Sequence, residues 1–534
     1  MWIGNRLKRF LNPQSRYPPL RNRMLERLTN SDSIKNAERR IRELIDAHSE
    51  WLYAQDSRVE ASLRKGECDF RVSHGRLLFS CWTDRGLIVW RITGWEWTGQ
   101  KLSLEASRRM GAERARLELL PRVSLNALTA AISETRRERC QRLAALACTA
   151  LRGAKPERAG LSAGARSGQP GKYARILLRH LNHERIAVAG EVAESDRHEM
   201  SAFLSSTLIW FTRARERTVR PPYIQKLWLI VAKDCVEPLG QLLALLRDDL
   251  RGVITLYERD DEWRELTPVV TPALVDLWEE SLKPFRRPPS DSMSESAAQI
   301  VAVAPSAIDV VRSRHGETLR YCGLPFARVR RVLGTESVWF GLEDTRRRLL
   351  DETTQEEWSK LLRDLQEHRS ADGIDPHHVL YRASPEAWLE FELRRDITRL
   401  DPGLRLAPLY AQFRPAQVRG SRPIDLLALR RDGRLVVIEL KVAEDREHVL
   451  QGADDWRRTE SYRRRGHITR ARLFGDAEIA DEPPLVYLVA PMLRFHRSFK
   501  LLARAITPEI EIYRFDINED WRTRVQVVQR GRVG

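Results

Sequence analysis

The chain has few cysteines, and none in a pairing pattern. Six are scattered over 534 residues, Cys68, Cys81, Cys140, Cys148, Cys235 and Cys322. No two have Cys-x-x-Cys spacing, which argues against a zinc site or a disulfide framework and suits a reducing cytosol. Long apolar runs are missing as well. No stretch approaches the length that a membrane span needs. The first residues, MWIGNRLKRFLN, are basic with no apolar segment after them, so no secretory leader is expected. A cytoplasmic protein with no membrane partner is expected. Acidic residues are outnumbered, 74 against 91 Lys and Arg, leaving a net charge of +17. That excess draws a chain toward polyanions, nucleic acid being the commonest, although a solvated basic surface would look the same. The chain is too long for one ordinary core, and 42% apolar with 31% charged residues describes a folded, multidomain protein.

What is present divides the chain as follows. Residues 1–66 read as a basic arm and a long helix, capped by Ser31 or Asp32 and running from about Ser33 to Arg64. Ile34, Ala37, Ile41, Leu44, Ile45, Trp51, Leu52 and Val59 keep helical spacing along it. Residues 67–151 read as a small antiparallel β domain followed by a helix. Turn signals at Gly75, Gly86 and Gly99 separate its short β runs. It holds Trp82, Trp90, Trp95 and Trp97, which suit a core more readily than base stacking. Residues 152–171, RGAKPERAGLSAGARSGQPG, read as a linker. Gly168 to Lys172 superficially suggests a phosphate loop. However, Arg166 takes the place of its first glycine, Tyr173 follows the lysine, and a strand follows where a helix is required. Residues 172–282 read as an α/β domain, 283–298 as a second linker and 299–383 as a β-rich and helical connector. Residues 384–534 form the last domain.

That last domain carries the chemistry. SPEAWLEFELRRDITRL reads as a helix opened by Ser384 with Pro385 at its first position, and Glu386 and Glu390 share one face. In PIDLLALRRDGRLVVIELKV, Asp432-Gly433 is a hairpin signal between two strands. Alternation along the second strand puts Val437, Glu439 and Lys441 on one face and Ile438 and Leu440 on the other. Asp425 belongs to the neighbouring strand. Charges on an otherwise buried strand are costly unless they do something. Phosphodiester hydrolysis would use them: carboxylates hold Mg²⁺, which polarises the phosphate and activates water. A lysine orients the water or offsets the developing charge.

The order Glu390, Asp425, Glu439-Leu440-Lys441 and then Gln451 on a following helix resembles the PD-(D/E)XK, or restriction-endonuclease-like, superfamily. Its nearest likeness is to the branch of bacterial and archaeal repair endonucleases. The resemblance implies an α/β core, a mixed sheet flanked by helices. It implies Asp425 and Glu439 as ligands of Mg²⁺ or Mn²⁺, Lys441 as the catalytic lysine, Glu390 as the helix acid and Gln451 as a helper. The expected function is metal-dependent endonucleolytic hydrolysis of DNA. The alternative is a catalytically inactive nucleic-acid-binding or assembly protein on the same fold. The helix from about Arg446 to Arg465 carries Arg457, Arg458, Arg463, Arg464 and Arg465, which could hold phosphates or could be a solvated helix end. A homodimer is possible. His448, His467 and His496 lack ligand spacing and read as surface or packing residues.

The middle of the chain repeats this order of elements. RIAVAGEVA at 185–193 resembles RLVVIELKVA at 434–443, and LWLIVA at 227–232 resembles LVYLVA at 485–490. YERDDEW, Tyr257 to Trp263, resembles YRFDINEDW, Tyr513 to Trp521. An ancient duplication is expected, with a degenerate copy over residues 172–263. Arg175 stands at the place of Asp425 and Ala189 at that of Glu439, so this copy lacks the carboxylates.

Overall fold

The computed structural model describes residues 26–533, apart from 29, 56–57, 65, 84–85, 99–100, 109–110, 112, 123–124, 165–169, 182–183, 194–198, 279–292, 314–315, 333–334, 343–346, 374 and 414–422. The chain divides into two compact units, Met1–Ile132 and Ser133–Gly534. It is a mixed α/β protein with several separate sheets. Among the described residues no helix is long and apolar enough to cross a membrane.

The first unit is an eight-stranded antiparallel sheet. Its strands are β1 (Glu26–Arg27), β2 (Glu50–Gln55), β3 (Arg58–Arg64), β4 (Cys68–Ser73), β5 (Arg76–Thr83), β6 (Gly86–Trp97), β7 (Leu102–Arg108) and β8 (Glu113–Pro121). Helix α1 (Ser31–Asp46) lays Ile34, Ala37 and Ile41 on the sheet. Two sequence expectations are corrected here. Asn30, not Ser31 or Asp32, caps α1, in a reciprocal capping box with Ser33. The helix also stops at Asp46 rather than Arg64. Residues 50–64 become β2 and β3 because Trp51 and Tyr53 are buried through pairing of β2 with the distant β8, a non-local gain that overrides local helical spacing. Trp90 and Trp95 are buried in the core, while the side chain of Trp82 lies outside the described residues.

Helix α2 (Leu125–Ala150) crosses the unit boundary and leads into a six-stranded sheet: β9 (Lys155–Ala163), β10 (Pro170–Arg179), β11 (Arg185–Glu191), β12 (Ile224–Ala232), β13 (Ile254–Arg259) and β14 (Leu266–Val269). The expected linker at 152–171 is therefore corrected in part. Lys155–Ala163 is an edge strand, exposed along most of its length, so it shows no apolar alternation that a sequence reading could detect. Between these strands lie α3 (Met200–Arg217), α4 (Lys233–Leu243) and α5 (Asp248–Arg251). Residues 283–292 of the second expected linker lie outside the described residues, but its last residues begin helix α6 (Glu295–Val303), capped by Ser294.

A five-stranded antiparallel sheet follows: β15 (Ile308–Ser313), β16 (Gly316–Tyr321), β17 (Leu324–Val332), β18 (Thr335–Phe340) and β19 (Arg348–Leu349). After it come α7 (Gln355–His368), α8 (Val379–Arg382) and α9 (Pro385–Arg395). Pro385 opens α9 as expected, but Ser384 adopts a left-handed backbone and its side chain makes no cap bond. The β16–β17 turn presses on this helix start. A Cβ at Gly323, whose φ is +79°, would lie 2.0 Å from the Ala387 carbonyl oxygen, so only glycine fits there.

The last sheet contains β20 (Tyr410–Phe413), β21 (Ile424–Leu429), β22 (Leu435–Leu440), β23 (Leu485–Pro491), β24 (Ile512–Ile517) and β25 (Val527–Val533). Helices α10 (His448–Arg464), α11 (His467–Arg470) and α12 (Phe499–Ala505) lie between its strands. Strands β22 and β23 are buried along their whole length, as interior parallel strands covered on both faces must be. In both six-stranded sheets the strands stand in sequence order. The pairings run antiparallel, antiparallel, parallel, parallel, antiparallel in the middle sheet. They run the same way in the last sheet. This is the identity of topology that an internal copy requires. One hydrophobic core joins the two: Phe203, Leu204, Leu239 and Leu242 of α3 and α4 pack in the same cluster as Val449, Trp456, Phe499 and Leu502 of α10 and α12.

Candidate active site

The site begins in the β21–β22 hairpin. Its turn closes with Arg430 N–H donating to the Arg434 carbonyl at 2.9 Å, and Gly433 takes a positive φ. Leu426, Ala428, Val436, Ile438 and Leu440 form one face, packed with Trp388 and Leu389 of α9. Leu427, Leu429 and Val437 form the other, packed with Tyr462 of α10. Strand alternation then assigns Asp425, Glu439 and Lys441 to the α10 face. One step beyond the last hairpin pair, Leu426 with Ile438, Asp425 comes opposite Glu439. Asp425 Oδ2 accepts from the Leu440 N–H at 2.9 Å, which fixes that carboxylate against β22. The Lys441 N–H donates to the Val489 carbonyl at 3.0 Å and so extends the β22–β23 ladder through the lysine.

Glu439 and Lys441 are buried together. The ammonium Nζ lies 2.8 Å from Glu439 Oε1 and 3.9 Å from Asp445 Oδ2, and Glu439 is fully inaccessible to solvent. Two groups complete the surroundings, His448, expected only as a surface or packing residue, and Arg458, expected only to hold phosphate. His448 Nε2 is 3.1 Å from the Glu439 carbonyl, which can only accept, so the ring carries its proton there. That ring stacks on Phe495 at 5.5 Å. Burial pushes His448 down to about 4, which leaves it neutral at neutral pH. Arg458 of α10 is the second. Burial works against its charge, but Asp455, Asp454 and Glu439 more than offset this and raise its pKa, so the guanidinium lies within the field of Glu439.

The other expected residues fall as follows. Glu390 is buried in α9 and accepts from Arg320 of β16 at 3.1 Å. Arg320 also binds Asp309 at 2.6 Å, and Asp309 accepts from Arg394 as well. Glu390 thus anchors α9 to the five-stranded sheet, whereas Glu386 is exposed. Gln451 donates to Glu447 at 3.3 Å, and Glu447 also accepts from Ser201 of α3 at 2.9 Å, so this pair bridges the two repeats. The five arginines do not form an open phosphate-facing row. Arg457 pairs with Asp454, Arg458 with Asp455, and Arg463 and Arg464 with the buried Glu460. Arg465 donates to the Trp278 carbonyl at 2.7 Å. Acids three or four residues before these arginines were the available signal for internal pairing. For His448 there was none beyond its burial-prone neighbours.

The donor chemistry suits a hard divalent cation with few protein ligands. Among the described residues no group of three or more His, Cys, Asp or Glu side chains gathers as a metal cluster. Asp425 and Glu439 would therefore supply two carboxylates, with water and phosphate oxygens completing the shell, as Mg²⁺ commonly accepts.

No family model and no curated protein matches the chain. Three solved structures show slight likeness. Apo EndoMS is 13% identical over 46% of this chain and 99% of its own, with a TM-score of 0.15. An EndoMS–dsDNA complex is 14% identical over 46% and 98%, with a TM-score of 0.16. A repair endonuclease from Pyrococcus abyssi is 13% identical over 39% and 88%, with a TM-score of 0.10. Superpositions this weak carry no functional inference.

Proposed function

We propose that residues 384–534 form a PD-(D/E)XK-type nuclease centre that hydrolyses DNA phosphodiesters with Mg²⁺ or Mn²⁺. One observation carries the reading: Asp425 and Glu439 come opposite one another on the α10 face of an antiparallel pair, with the Lys441 ammonium 2.8 Å from Glu439 at the end of a buried parallel strand. The net charge of +17 supports a polyanionic substrate. A cation bound there would polarise the phosphate and lower the pKa of the attacking water. The chain's own groups do the rest. The Leu440 amide fixes Asp425, and the neutral His448 ring fixes the backbone of Glu439. With a cation held by Asp425 and Glu439, the Lys441 ammonium would be placed to meet the attacking water or the phosphate oxygens.

The alternative, a non-catalytic DNA-binding protein on the same fold, is favoured by the closed Glu439–Lys441 pair, which satisfies the lysine without substrate. The test is cleavage of linear, circular, single-stranded and branched DNA with Mg²⁺, with Mn²⁺ and with EDTA. Cutting that requires metal and disappears in Glu439→Ala and Lys441→Ala is the expected result. Salt-dependent binding without any cutting by folded wild-type protein would establish the alternative instead.

A further inference from the structure

The two repeats meet as the halves of a symmetric dimer meet. Leu246, after α4, bridges Ile506, after α12, and these are corresponding connections in the two sheets. The bonds around that bridge are reciprocal. Arg247 N–H donates to the Ala505 carbonyl at 3.0 Å, and Thr507 N–H donates to the Leu245 carbonyl at 2.9 Å. Such an isologous contact is the mark of a two-fold relation. The pairing that a homodimer would supply is thus built into one chain.

Strand register identifies what occupies the second centre. Glu439 pairs with Leu488 on β23, and Ala189 pairs with Leu229 on β12. Leu488 and Leu229 both face the shared core, so the two pairs correspond in face as well as register. Opposite Ala189 on β10 stands Arg175, where Asp425 stands opposite Glu439. Two residues on, Glu191 takes the place of Lys441. Both carboxylates are gone, and the charge at two of the three positions is reversed.

The replacement is organised. Arg175 donates to Ser206 Oγ at 3.0 Å, and its guanidinium lies 5.9 Å from the Trp210 ring centre. Arg213 follows Trp210 by three residues on α3, and Ser201 of the same helix donates to Glu447, next to Arg446, at 2.9 Å; burial first, then the like charges of Arg446 and Arg213, lower the pKa of Arg175. The three arginines come from β10, α3 and the loop entering α10. Burial first, then Arg446, lowers the pKa of His496 against the opposing charge of Glu444. The Lys172–Glu199 pair and Glu447 flank the arginines. Arg446 directly follows Asp445, which approaches Lys441, so a single loop connects the two centres.

We propose that the vacated centre is a phosphate-binding site: Arg175, Arg213 and Arg446 hold the backbone of one DNA strand while the Asp425–Glu439–Lys441 centre cuts the other. The protein is then a nicking enzyme. This rests on the nuclease reading above. Each event consumes one water with a divalent cation present. The water oxygen bonds to phosphorus and one P–O ester bond breaks. The leaving oxygen gains a proton as the attacking water loses one, giving one hydroxyl and one phosphate monoester. The intact strand is left unbroken because Arg175 and Ala189 stand where a second Asp–Glu pair would be.

Two measurements test this separately. The first uses supercoiled plasmid with excess protein and Mn²⁺. Open circles should accumulate first, with linear DNA arriving in a distinct slower phase. Linear DNA formed as fast as supercoiled DNA disappears overturns the single-cut inference while leaving the nuclease reading intact. Loss of neither form removes the nuclease reading itself. The second is anisotropy of a labelled duplex in EDTA over a range of salt. Arg213→Ala and Arg446→Ala, at accessible positions that leave the core unchanged, should each weaken binding and make the salt slope shallower by about one. Unchanged affinity and slope in both variants would sink the phosphate site whatever the plasmid assay gives.

Discussion

Replacing Lys441 by methionine removes the ammonium from a carboxylate that solvent does not reach, and keeps most of the lysine's volume. Glu439 is fully buried and Lys441 is only 5% exposed. The bond between them is 2.8 Å, with Asp445 a further carboxylate at 3.9 Å. Breaking a buried pair from one side typically costs about 3–5 kcal/mol. The positive field of Arg458 at Glu439 offsets part of that loss, so the lower end, about 3 kcal/mol, is expected. Glu439→Gln combined with Lys441→Met leaves a neutral pair of similar shape, and the double variant should recover all but about 1 kcal/mol. The coupling energy is then about 2 kcal/mol or more. The assay is urea unfolding in EDTA, following the transition of the second unit, beside the cleavage assay. The double variant should be folded and inactive, which separates support of the fold from chemistry. A Lys441→Met variant within about 0.5 kcal/mol of wild type would refute the buried-pair reasoning.

Further perturbations address the site's supports. A Cβ at Gly452 would lie 2.6 Å from Leu488 Cδ2 and 3.0 Å from Val486 Cγ1. In Gly452→Ala the gain in helix propensity of about 1 kcal/mol is outweighed by about 1–3 kcal/mol of overpacking. Stability should fall by about 1 kcal/mol, and cleavage more steeply as α10 shifts; a variant more stable than wild type would refute this. For His448 the folded value of about 4 lies below the ordinary 6.5, so the unfolded chain binds the extra proton. The stabilisation is full above the unfolded value and is lost as pH falls toward 4. Between neutrality and about pH 4.5, wild type in EDTA should lose about 2–3 kcal/mol more than His448→Gln, read from urea midpoints, and parallel pH profiles would contradict it. Residues 384–534 expressed alone should unfold without cooperativity and bind hydrophobic dye, because Val449, Trp456, Phe499 and Leu502 lose the cover of Phe203, Leu204 and Leu239. A cooperative transition in that fragment would count against the shared core.

The β21–β22 hairpin was legible because everything that defines it is local: two apolar runs, an Asp-Gly turn, and charges at alternate positions of the second strand. The topology of the middle repeat was legible through its parallel strands, whose buried apolar runs stand out in any register. Edge strand β9 was not. Its side chains face solvent, so Gly, Ala, Arg and Ser serve as well as Val or Ile, and the segment resembles a linker. Strands β2 and β3 were read as helix because spacing cannot register that Trp51 is buried by a partner some seventy residues away. The Arg320–Glu390 bond is equally remote. The arginines of α10 are the instructive case, since Asp454, Asp455 and Glu460 lay in plain view at pairing distance. Net charge drew attention to phosphate, whereas i to i+3 and i+4 pairing determined where the guanidiniums went.

The asymmetry between the repeats bears on why Glu439 and Lys441 are there at all. A buried ion pair is seldom more stable than apolar residues of the same volume. The middle repeat shows the apolar solution at the place of Glu439 alone, since Arg175 and the buried Glu191 carry charge at the other two. Ala189 is buried in the shared core, with the same strand order, the same pairings and the same covering helices around it. The fold therefore does not require a carboxylate at the place of Glu439. Stability alone would favour an alanine in both sheets. The last sheet instead buries Glu439 and Lys441, sets Asp425 on the strand opposite and holds the Glu439 backbone with His448. Three charges kept at an energetic disadvantage, next to a second sheet that has dispensed with that arrangement, are what a requirement for chemistry at one centre and not the other would produce.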